Sequence, residues 1–398
     1  MRVKLKDICT KITDGSHFSP IDTKNGYPML SIQDMLTNGF DYSKCKHISK
    51  SDYDSLVKNG CKPEKNDVLI AKDGSYLKEI FVVKEDKEEV VLSSIAILRP
   101  NTQIVNPHFL KYYLSTESIK DEVARKYVSG SVLKRIILKN FENIEINLPD
   151  RKTQDKIAEI LSGIDEQINR NNEAVKKLQV LIHTKYSSEF ESKNVPNGHI
   201  KNICLLPSGF SFKPEMYCPN GNYKLVTIKN VNDVFVNTEK TDKLSTIPNG
   251  MKKYCNLSVG DILMSLTGNV GRISIVTEKN NLLNQRVSVL KCDEKYKTYI
   301  YALLNSQKYQ IIMQKISRGT SQKNLSPIDV ENLAIFIPDN IEEFYNETTL
   351  YFNQMISIQQ NTQSLLNLKS NILPLLINNQ LTNMQCFSTK KGGTVDVT

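Results

Sequence analysis

Residues 151–190 read RKTQDKIAEILSGIDEQINRNNEAVKKLQVLIHTKYSSEF, and the organisation of the whole chain follows from this stretch. Its apolar residues are separated alternately by four and three positions, which is the spacing of a coiled-coil seam. No proline lies between Pro149 and Pro196, so the pattern predicts one helix of about 40 residues and roughly 60 Å. Asn171 is the only polar seam residue, and a single asparagine there typically fixes register. The seam positions are Ile157, Leu161, Ile164, Ile168, Asn171, Val175, Leu178 and Ile182.

The composition is that of an ordinary soluble protein with two or three domains. The chain has 398 residues, of which 39% are hydrophobic and 24% charged, enough to build sizeable cores. Its apolar runs are too short to span a membrane, and the opening MRVKLKDIC lacks the apolar segment of a secretion signal. The eight cysteines are scattered without a C-x-x-C pair, so we expect reduced thiols, no metal site and a cytoplasmic location. The net charge of +9 favours a polyanionic partner but does not identify it.

Residues 1–149 have the pattern of a strand-rich globule. The segment NPHFLKYYLSTESIKDEVARKYV (106–128) predicts one helix, because its apolar spacing is helical and Asn106 and Pro107 suit a helix start. Runs that alternate or are rich in β-branched residues, bounded by Gly, Pro or Asp, predict strands. These runs lie at 27–34, 66–74, 79–85 and 90–100.

The same order of segments returns after the helix. GDILMSLTGNVGRISIV (260–276) is similar to NDVLIAKDGSYLKEIFVV (66–83), and NQRVSVLKC (284–292) is similar to LSSIAILRP (92–100). Gly130 pairs with Gly319 and Pro149 with Pro338, an offset of about 190 residues that is far longer than the period of a repeat array. The sequence therefore predicts a duplicated α+β domain.

A second long helix is predicted after the second copy, over about residues 341–381. Its seam has two polar interruptions, and Pro374 is expected to kink its far end. Two long helices of matched length can pair as an antiparallel coiled coil between two similar globules. The seam positions are Tyr351, Met355, Ile358, Thr362, Leu365, Lys369, Ile372 and Leu376. The expected divisions are a globule at 1–149, a helix at 150–193, a globule at 194–338, a helix at 339–381 and a disordered tail at 382–398.

No enzyme motif is present in the sequence. It has no phosphate-binding G-x-x-x-x-G-K-[ST] loop, no N-P-P-Y-like motif for base methylation, and no histidine pair at metal-ligand spacing. We therefore expect a chain that is not itself an enzyme. Glu64 and Asp67 beside Lys72 could imitate a nuclease cluster, but salt-bridged loop residues are the simpler interpretation.

Polar and basic loops at equivalent places in the two copies are the candidate DNA contacts. Arg and Lys suit guanine edges or phosphates, Asn and Gln suit adenine, and Gly allows close approach of the backbone. For any single residue an ordinary solvated turn explains the pattern equally well, but recurrence in both copies favours a shared surface. In the first copy the candidates are Lys72, Ser75, Lys78, Ser129, Ser131, Lys134 and Arg135. In the second copy they are Thr267, Asn269, Arg272, Arg318, Thr320, Ser321, Gln322, Lys323 and Asn324.

With these segments in order, the chain resembles the specificity (S) subunit of type I restriction–modification systems. ITDGSHFSP (12–20) and GDILMSLTGNVG (260–271) resemble the opening and the core loop of its target-recognition domains. SRGTSQKNLSPIDVENLAIFIP (317–338) and INLPDRKTQDKIAEILSGIDEQI (146–168) resemble the segments that lead into and begin the helices. The family usually has Pro-Pro and Glu-Gln at the helix entry. Here Asp150 follows Pro149 and Thr153 precedes Gln154, so the partner surface is expected to have diverged.

The resemblance implies a non-catalytic subunit that recognises a bipartite double-stranded DNA site, one half with each globule, while the helices set the gap. It implies as partners two DNA-methyltransferase (M) subunits that bring S-adenosylmethionine and an ATP-dependent translocase–nuclease (R) subunit, with no cofactor in this chain. A coiled-coil scaffold that never recognises a DNA sequence is the main alternative. An enzyme in its own right is a further one, against which the missing motifs argue.

Overall fold

The computed structural model describes residues 1–73, 77–129, 135–191, 195–319 and 322–378, with only the main chain of residues 128, 129 and 135. The chain divides into two compact units. Unit 1 contains residues 1–166 together with the residues from 367 onward, and unit 2 contains residues 167–366. The tail expected at 382–398 lies outside the described residues.

Unit 1 is built from short strands and short helices, followed by the start of a long helix. The strands are β1 (Arg2–Lys4), β2 (Cys9–Asp14), β3 (Tyr27–Leu30), β4 (Met35–Leu36), β5 (Gly39–Phe40), β6 (Lys46–Ile48), β7 (Val68–Ala71), β8 (Ile80–Val82), β9 (Val90–Val91), β10 (Ile95–Pro100), β11 (Val128–Ser129), β12 (Arg135–Ile136) and β13 (Glu145–Asn147). The helices are α1 (Leu5–Ile8), α2 (Lys50–Lys58), α3 (Pro107–Ser115), α4 (Glu117–Tyr127), α5 (Leu138–Asn143) and the long α6 (Arg151–Tyr186).

The core of unit 1 lies on both faces of a sheet with the strand order β2-β10-β7-β8. All four residues of β7 are buried. Val68 and Ile70 belong to the apolar cluster that includes α3, whereas Leu69 and Ala71 belong to the cluster that includes β3. Because side chains alternate between the faces of a strand, a strand buried on both faces must be apolar throughout. This explains the continuous apolar run in NDVLIAKDG.

Unit 2 repeats this arrangement. Its short helices are α7 (Lys297–Asn305), α8 (Gln307–Ile316) and α9 (Pro327–Glu331), and the long α10 spans Glu342–Ile377. Its strands are β14 (Gly198–His199), β15 (Cys204–Leu205), β16 (Tyr223–Val226), β17 (Lys243–Leu244), β18 (Asn256–Leu257), β19 (Ile262–Ser265), β20 (Ile273–Ile275), β21 (Asn281–Leu283), β22 (Val287–Val289), β23 (Lys291–Cys292) and β24 (Ala334–Ile335).

Strand pairing confirms the predicted duplication. In unit 1, β3 pairs antiparallel with β6 and parallel with β9, and β7 lies between β8 and β10. In unit 2, β16 pairs antiparallel with β17 and parallel with β21, and β19 lies between β20 and β22. The same order of antiparallel and parallel partners in both units is the topology of one domain present twice.

Two predicted elements of the first copy are interrupted. The single helix expected over 106–128 is wrong, because Thr116 is extended (φ −70°, ψ 141°) and separates α3 from α4. Its hydroxyl donates to the carbonyl of Tyr113 (2.8 Å), a local bond that competes with helix continuation. The strand expected over 90–100 is also wrong as one element, since residues 92–94 form a turn between β9 and β10.

In unit 1, a buried carboxylate joins the two long helices to α3. Asp165 of α6 accepts hydrogen bonds from Lys111 Nζ (3.0 Å) and Tyr112 OH (2.7 Å) of α3, and from Lys369 Nζ of α10. Burial alone would raise the pKa of Asp165, but the charges of Lys111 and Lys369 outweigh it and hold this pKa below the ordinary value of 3.8. The carboxylate is therefore ionised and paired with two cations at neutral pH.

In unit 2, the contact between α6 and α10 is antiparallel and contains the predicted asparagine. Asn171 is buried, and its Nδ2 donates to Asn361 Oδ1 (2.9 Å) and Thr362 Oγ1 (3.0 Å). Farther along α6, Lys185 Nζ lies 2.6 Å from Glu347 Oε2 of α10. The residue numbers rise on one helix as they fall on the other, so the helices run in opposite directions. Pro374 lies inside the last turn of α10.

No helix among the described residues is both long and apolar enough to cross a membrane.

We predict that Asp165→Asn destabilises the chain strongly at neutral pH. It removes the charge that compensates Lys111 and Lys369, and breaking a buried ion pair on one side costs about 3–5 kcal/mol. Because the folded pKa of Asp165 is lowered, its contribution is present above the unfolded value of 3.8 and is lost as the pH falls through the folded pKa. Urea unfolding at pH 7 and at a series of pH values falling below 3.8 should show a difference between variant and wild type that shrinks in acid.

The control is Asp155→Asn, which removes an exposed carboxylate from the same helix. It should lower the unfolding midpoint far less than Asp165→Asn. Equal losses from the two variants, or a loss from Asp165→Asn that is the same at every pH value, would show that the buried ion pairs do not stabilise unit 1.

Candidate nucleic-acid interface

A tight turn at residues 92–95 is the point at which several segments of the first copy meet. Its main chain bonds to itself, to the end of β3, to the segment after β2 and to the end of β7. The hydrogen bonds are Leu92 N–H to Leu30 O (2.8 Å), Ser93 N–H to Ser16 O (2.9 Å), Ile95 N–H to Leu92 O (3.0 Å), Gly15 N–H to Ile95 O (3.2 Å) and Lys72 N–H to Ser94 O (3.0 Å). The turn is therefore fixed from three sides.

The second copy contains the same turn at residues 284–287, with the same five hydrogen bonds. They are Asn284 N–H to Val226 O (3.0 Å), Gln285 N–H to Phe210 O (3.0 Å), Val287 N–H to Asn284 O (3.0 Å), Gly209 N–H to Val287 O (3.0 Å) and Leu266 N–H to Arg286 O (3.0 Å). Because these bonds are all between main-chain groups, they show which residues of the two copies are equivalent, whatever their side chains. Ser93 and Ser94 correspond to Gln285 and Arg286, and Lys72 corresponds to Leu266.

A fourth segment joins each turn through the residue that directly follows the central strand, β7 or β19. The carbonyl of Lys72 accepts from Ile136 N–H (3.1 Å), and the carbonyl of Leu266 accepts from Leu325 N–H (2.8 Å). We call the described residues 14–18, 72–73, 77–78, 93–94, 129 and 135–136 the first edge. The described residues 208–212, 266–272, 285–286, 318–319 and 322–325 are the second edge. In each copy these bonds therefore join the described parts of the two loops that were predicted as DNA contacts.

Hydrogen bonds join the two predicted loops of the second edge. Thr267 is buried, and its hydroxyl donates to Asn324 Oδ1 (2.9 Å). Gly268 N–H donates to Lys323 O (2.9 Å), which completes the junction of the two loops. Asn269, Arg318, Gln322, Lys323 and Asn324 are exposed, and Arg272 is half-buried. Thr320 and Ser321 lie outside the described residues.

Three cations of the second edge already have partners within the protein. Arg272 donates to Asn232 Oδ1 (3.0 Å), Arg318 Nη2 lies 3.2 Å from Asp329 Oδ2, and Lys323 Nζ donates to Gln314 Oε1 (3.2 Å). These contacts orient the side chains at the surface. Exposed pairs of this kind contribute little stability, so a phosphate or a base can replace the partner at small cost.

In the first edge the lysine that follows the central strand is buried, unlike the cations of the second edge. Lys72 is buried and its Nζ lies 3.2 Å from Asp14 Oδ2, which is also 3.4 Å from the exposed His17 Nε2. This ion pair ties the loop that begins at Lys72 to the end of β2. Lys78 is exposed. Ser75, Ser131 and Lys134 lie outside the described residues, and of Ser129 and Arg135 only the main chain in β11 and β12 is described.

The carboxylates considered as a nuclease cluster form a salt bridge instead. Arg99 binds both oxygens of Asp67 (2.9 Å each) and lies 2.8 Å from Glu64 Oε1. Burial raises the pKa of Asp67, although its bonds to Arg99 oppose the shift. The second copy has the equivalent pair Asp261–Lys291 at 2.9 Å. Among the described residues, no group of three or more His, Cys, Asp or Glu side chains is placed to hold a metal ion.

Sequence reasoning missed the residues at the tip of each turn, Ser93 and Ser94 in the first copy and Gln285 and Arg286 in the second. The similarity of LSSIAILRP to NQRVSVLKC was visible, but both segments were interpreted as strands. The signal that could have found the turns is the sharp change from polar to apolar residues at Ser94–Ile95 and Arg286–Val287.

Comparisons with known proteins agree with this duplicated architecture. The family model described as "Type I restriction modification DNA specificity domain" matches residues 1–179 and again residues 193–347. The MjaVIII type I restriction enzyme specificity subunit of Methanocaldococcus jannaschii is 27% identical over 355 residues, which cover 80% of each chain. The HindI specificity subunit of Haemophilus influenzae is 20% identical and covers 90% of this chain and 95% of its own.

A solved structure shares the fold. The type I restriction–modification S subunit from M. genitalium superposes with a TM-score of 0.58 at 14% identity, covering 94% of this chain and 95% of that chain.

We predict that Lys72→Leu alone destabilises the chain, because it leaves Asp14 buried without its cation, at a cost of about 3–5 kcal/mol. Adding Asp14→Ser should restore most of the loss, since the pair then matches Leu266 and Ser208 at the equivalent positions of the second copy. Urea unfolding of both variants measures the two effects. If Lys72→Leu is as stable as the wild type, the ion pair does not hold the loop.

Proposed function

The chain belongs to the family of type I restriction modification DNA specificity domains, which it matches twice, and we propose that each of its two copies recognises one half of a bipartite DNA site. The first edge binds one half-site and the second edge binds the other. Phosphate contacts position each copy, and base-edge contacts in the major groove give the sequence preference.

The observation that carries this proposal is that the same main-chain hydrogen bonds, which we call the frame, support different side chains in the two copies. The five hydrogen bonds of the turn recur in both copies, whereas the side chains at its tip differ: the half-buried Ser93 and Ser94 in the first copy and the exposed Gln285 and Arg286 in the second. A protein that recognises two unlike half-sites needs this combination, because the frame fixes geometry and the side chains select the bases.

The candidate contacts predicted from the sequence remain part of the proposal, except that Lys72 has a different role. Asn269, Gln322, Lys323 and Asn324 are exposed and suit contacts to bases or phosphates. Lys72 instead acts through its buried ion pair, as a residue that positions the loop.

We also propose that the chain is a non-catalytic member of a cytoplasmic complex. The similar proteins are named as specificity subunits of type I restriction enzymes, and a subunit acts together with others. The partners are two DNA-methyltransferase subunits, which bring S-adenosylmethionine, and an ATP-dependent translocase–nuclease subunit. Exposed apolar side chains on the long helices are available for such docking. They include Val180 and Leu181 on α6 and Leu350 on α10.

The test of the proposed function is genome-wide adenine methylation in cells with and without this chain, with the methyltransferase subunits present. Deletion should abolish methylation at one split motif, and a plasmid copy should restore it. If the methyltransferase co-purifies with the chain but no motif depends on it, the chain is a scaffold that does not recognise a DNA sequence.

A second prediction concerns the gap between the half-sites. We propose that the paired helices set it, so one heptad added to each helix should lengthen it while both half-sites stay the same. Seven residues add about 10 Å of helix, which corresponds to about three base pairs. The insertions go after Glu166 in α6 and before Asn367 in α10, and the methylated motif gives the new gap.

The matched control adds the heptad to α6 alone. This shifts its residues relative to α10 and should reduce methylation at every spacing. An unchanged gap in the active double insertion would refute the proposal that the helices set the gap.

A further inference from the structure

The turn at residues 284–287 carries two exposed polar side chains without a bonding partner among the described residues. Gln285 and Arg286 are both exposed. Within the part of the chain that the structure describes, neither side chain forms a hydrogen bond or an ion pair. In contrast, Arg272, Arg318 and Lys323 of the second edge each have a partner. Arg286 is thus a cation of this edge whose charge is not already compensated by a neighbour.

The main chain of these two residues and of Asn284 is held by hydrogen bonds to other segments of unit 2. Asn284 and Gln285 donate to Val226 and Phe210, while the carbonyl of Arg286 accepts from Leu266. The turn, including its tip, is therefore anchored to three separate segments. An exposed side chain on an anchored turn loses less conformational entropy on binding than one on a free loop, so its contacts contribute more to affinity.

From this placement we propose that Gln285 and Arg286 are base-recognising residues of the second copy, with double-stranded DNA as the ligand. The inference rests on the proposed function and adds to it the residues that select bases at one position of the second half-site. Arginine binds guanine O6 and N7 with two hydrogen bonds, and glutamine binds adenine N6 and N7 in the same way. Neighbouring Gln and Arg on one turn therefore suit a step that contains adenine and guanine.

The first copy has Ser93 and Ser94 at the equivalent positions. Serine is short and hydrogen-bonds to either kind of base, so it discriminates less. The Ser94 hydroxyl also accepts a hydrogen bond from Ile32 N–H (3.3 Å), which engages it inside the protein. The same turn therefore contributes strong base selection to the second half-site and little to the first.

The experiment is genome-wide adenine methylation in cells that carry the full chain with its methyltransferase subunits. The variants are Arg286→Ala, Arg286→Lys and Gln285→Ala. Each should relax the base preference at one or two positions of the second half-site. The ratio of methylation at the original motif to methylation at motifs with another base there should fall roughly ten-fold or more. The first half-site should not change. Arg286→Lys keeps the charge but replaces a rigid planar fork of donors with a flexible ammonium group, so it should relax the motif less than Arg286→Ala does.

Lys295→Ala is the matched control, because it removes one exposed positive charge near the start of α7, outside the second edge. It should leave the motif unchanged. Co-purification of the methyltransferase and an unchanged unfolding midpoint verify that each variant assembles.

Two results would overturn the inference. One is an unaltered motif in both Arg286→Ala and Gln285→Ala. The other is a uniform reduction of methylation in Arg286→Ala, with the motif unchanged and with full methylation in Arg286→Lys. That result would identify Arg286 as a phosphate contact. In both cases the wild type still methylates its bipartite motif, so the proposed function stands. If the wild type directs no motif at all, the proposed function itself fails.

Discussion

The main-chain groups of the one residue that directly follows the central strand hold each edge together. Lys72 and Leu266 each donate their N–H to the tip of a turn and accept at their carbonyl from the segment that follows the paired helices α3–α4 or α7–α8. These bonds do not depend on side chains. Residues on the joined segments can therefore change without loss of the frame, and two copies of one domain can carry different binding surfaces.

The long helices differ from the edges, because side chains and not main-chain groups make the polar contacts in their buried interface. Asp165 in unit 1 and Asn171 in unit 2 each have several partners, which offsets the cost of removing them from water. Such contacts add less stability than apolar residues of the same size, but they penalise a shifted helix register. A constant register is what a protein needs if its helices set a length.

Some properties of the edges depend on contacts that no local pattern reveals. Lys72 was a candidate DNA contact because AKDGSYLKE has the composition of a solvated turn, yet Asp14, which precedes it by more than fifty residues, binds its ammonium group in a buried position. Gln285 and Arg286 were overlooked because NQRVSVLKC continues into a strand. In both cases exposure is set by strand partners distant in sequence, and helical or strand periodicity contains no information about them.

The sequence by itself determined the duplication, the α+β class, the two long helices and the resemblance to specificity subunits. These features are encoded in local periodicity and in similarity between distant segments, both of which can be seen in one chain. The tertiary structure decided where the helix at 106–128 breaks, which lysine is buried, and which segments meet at each edge. These outcomes depend on long-range hydrogen bonds and on the desolvation of particular side chains, and such energies exist only once the segments are packed together.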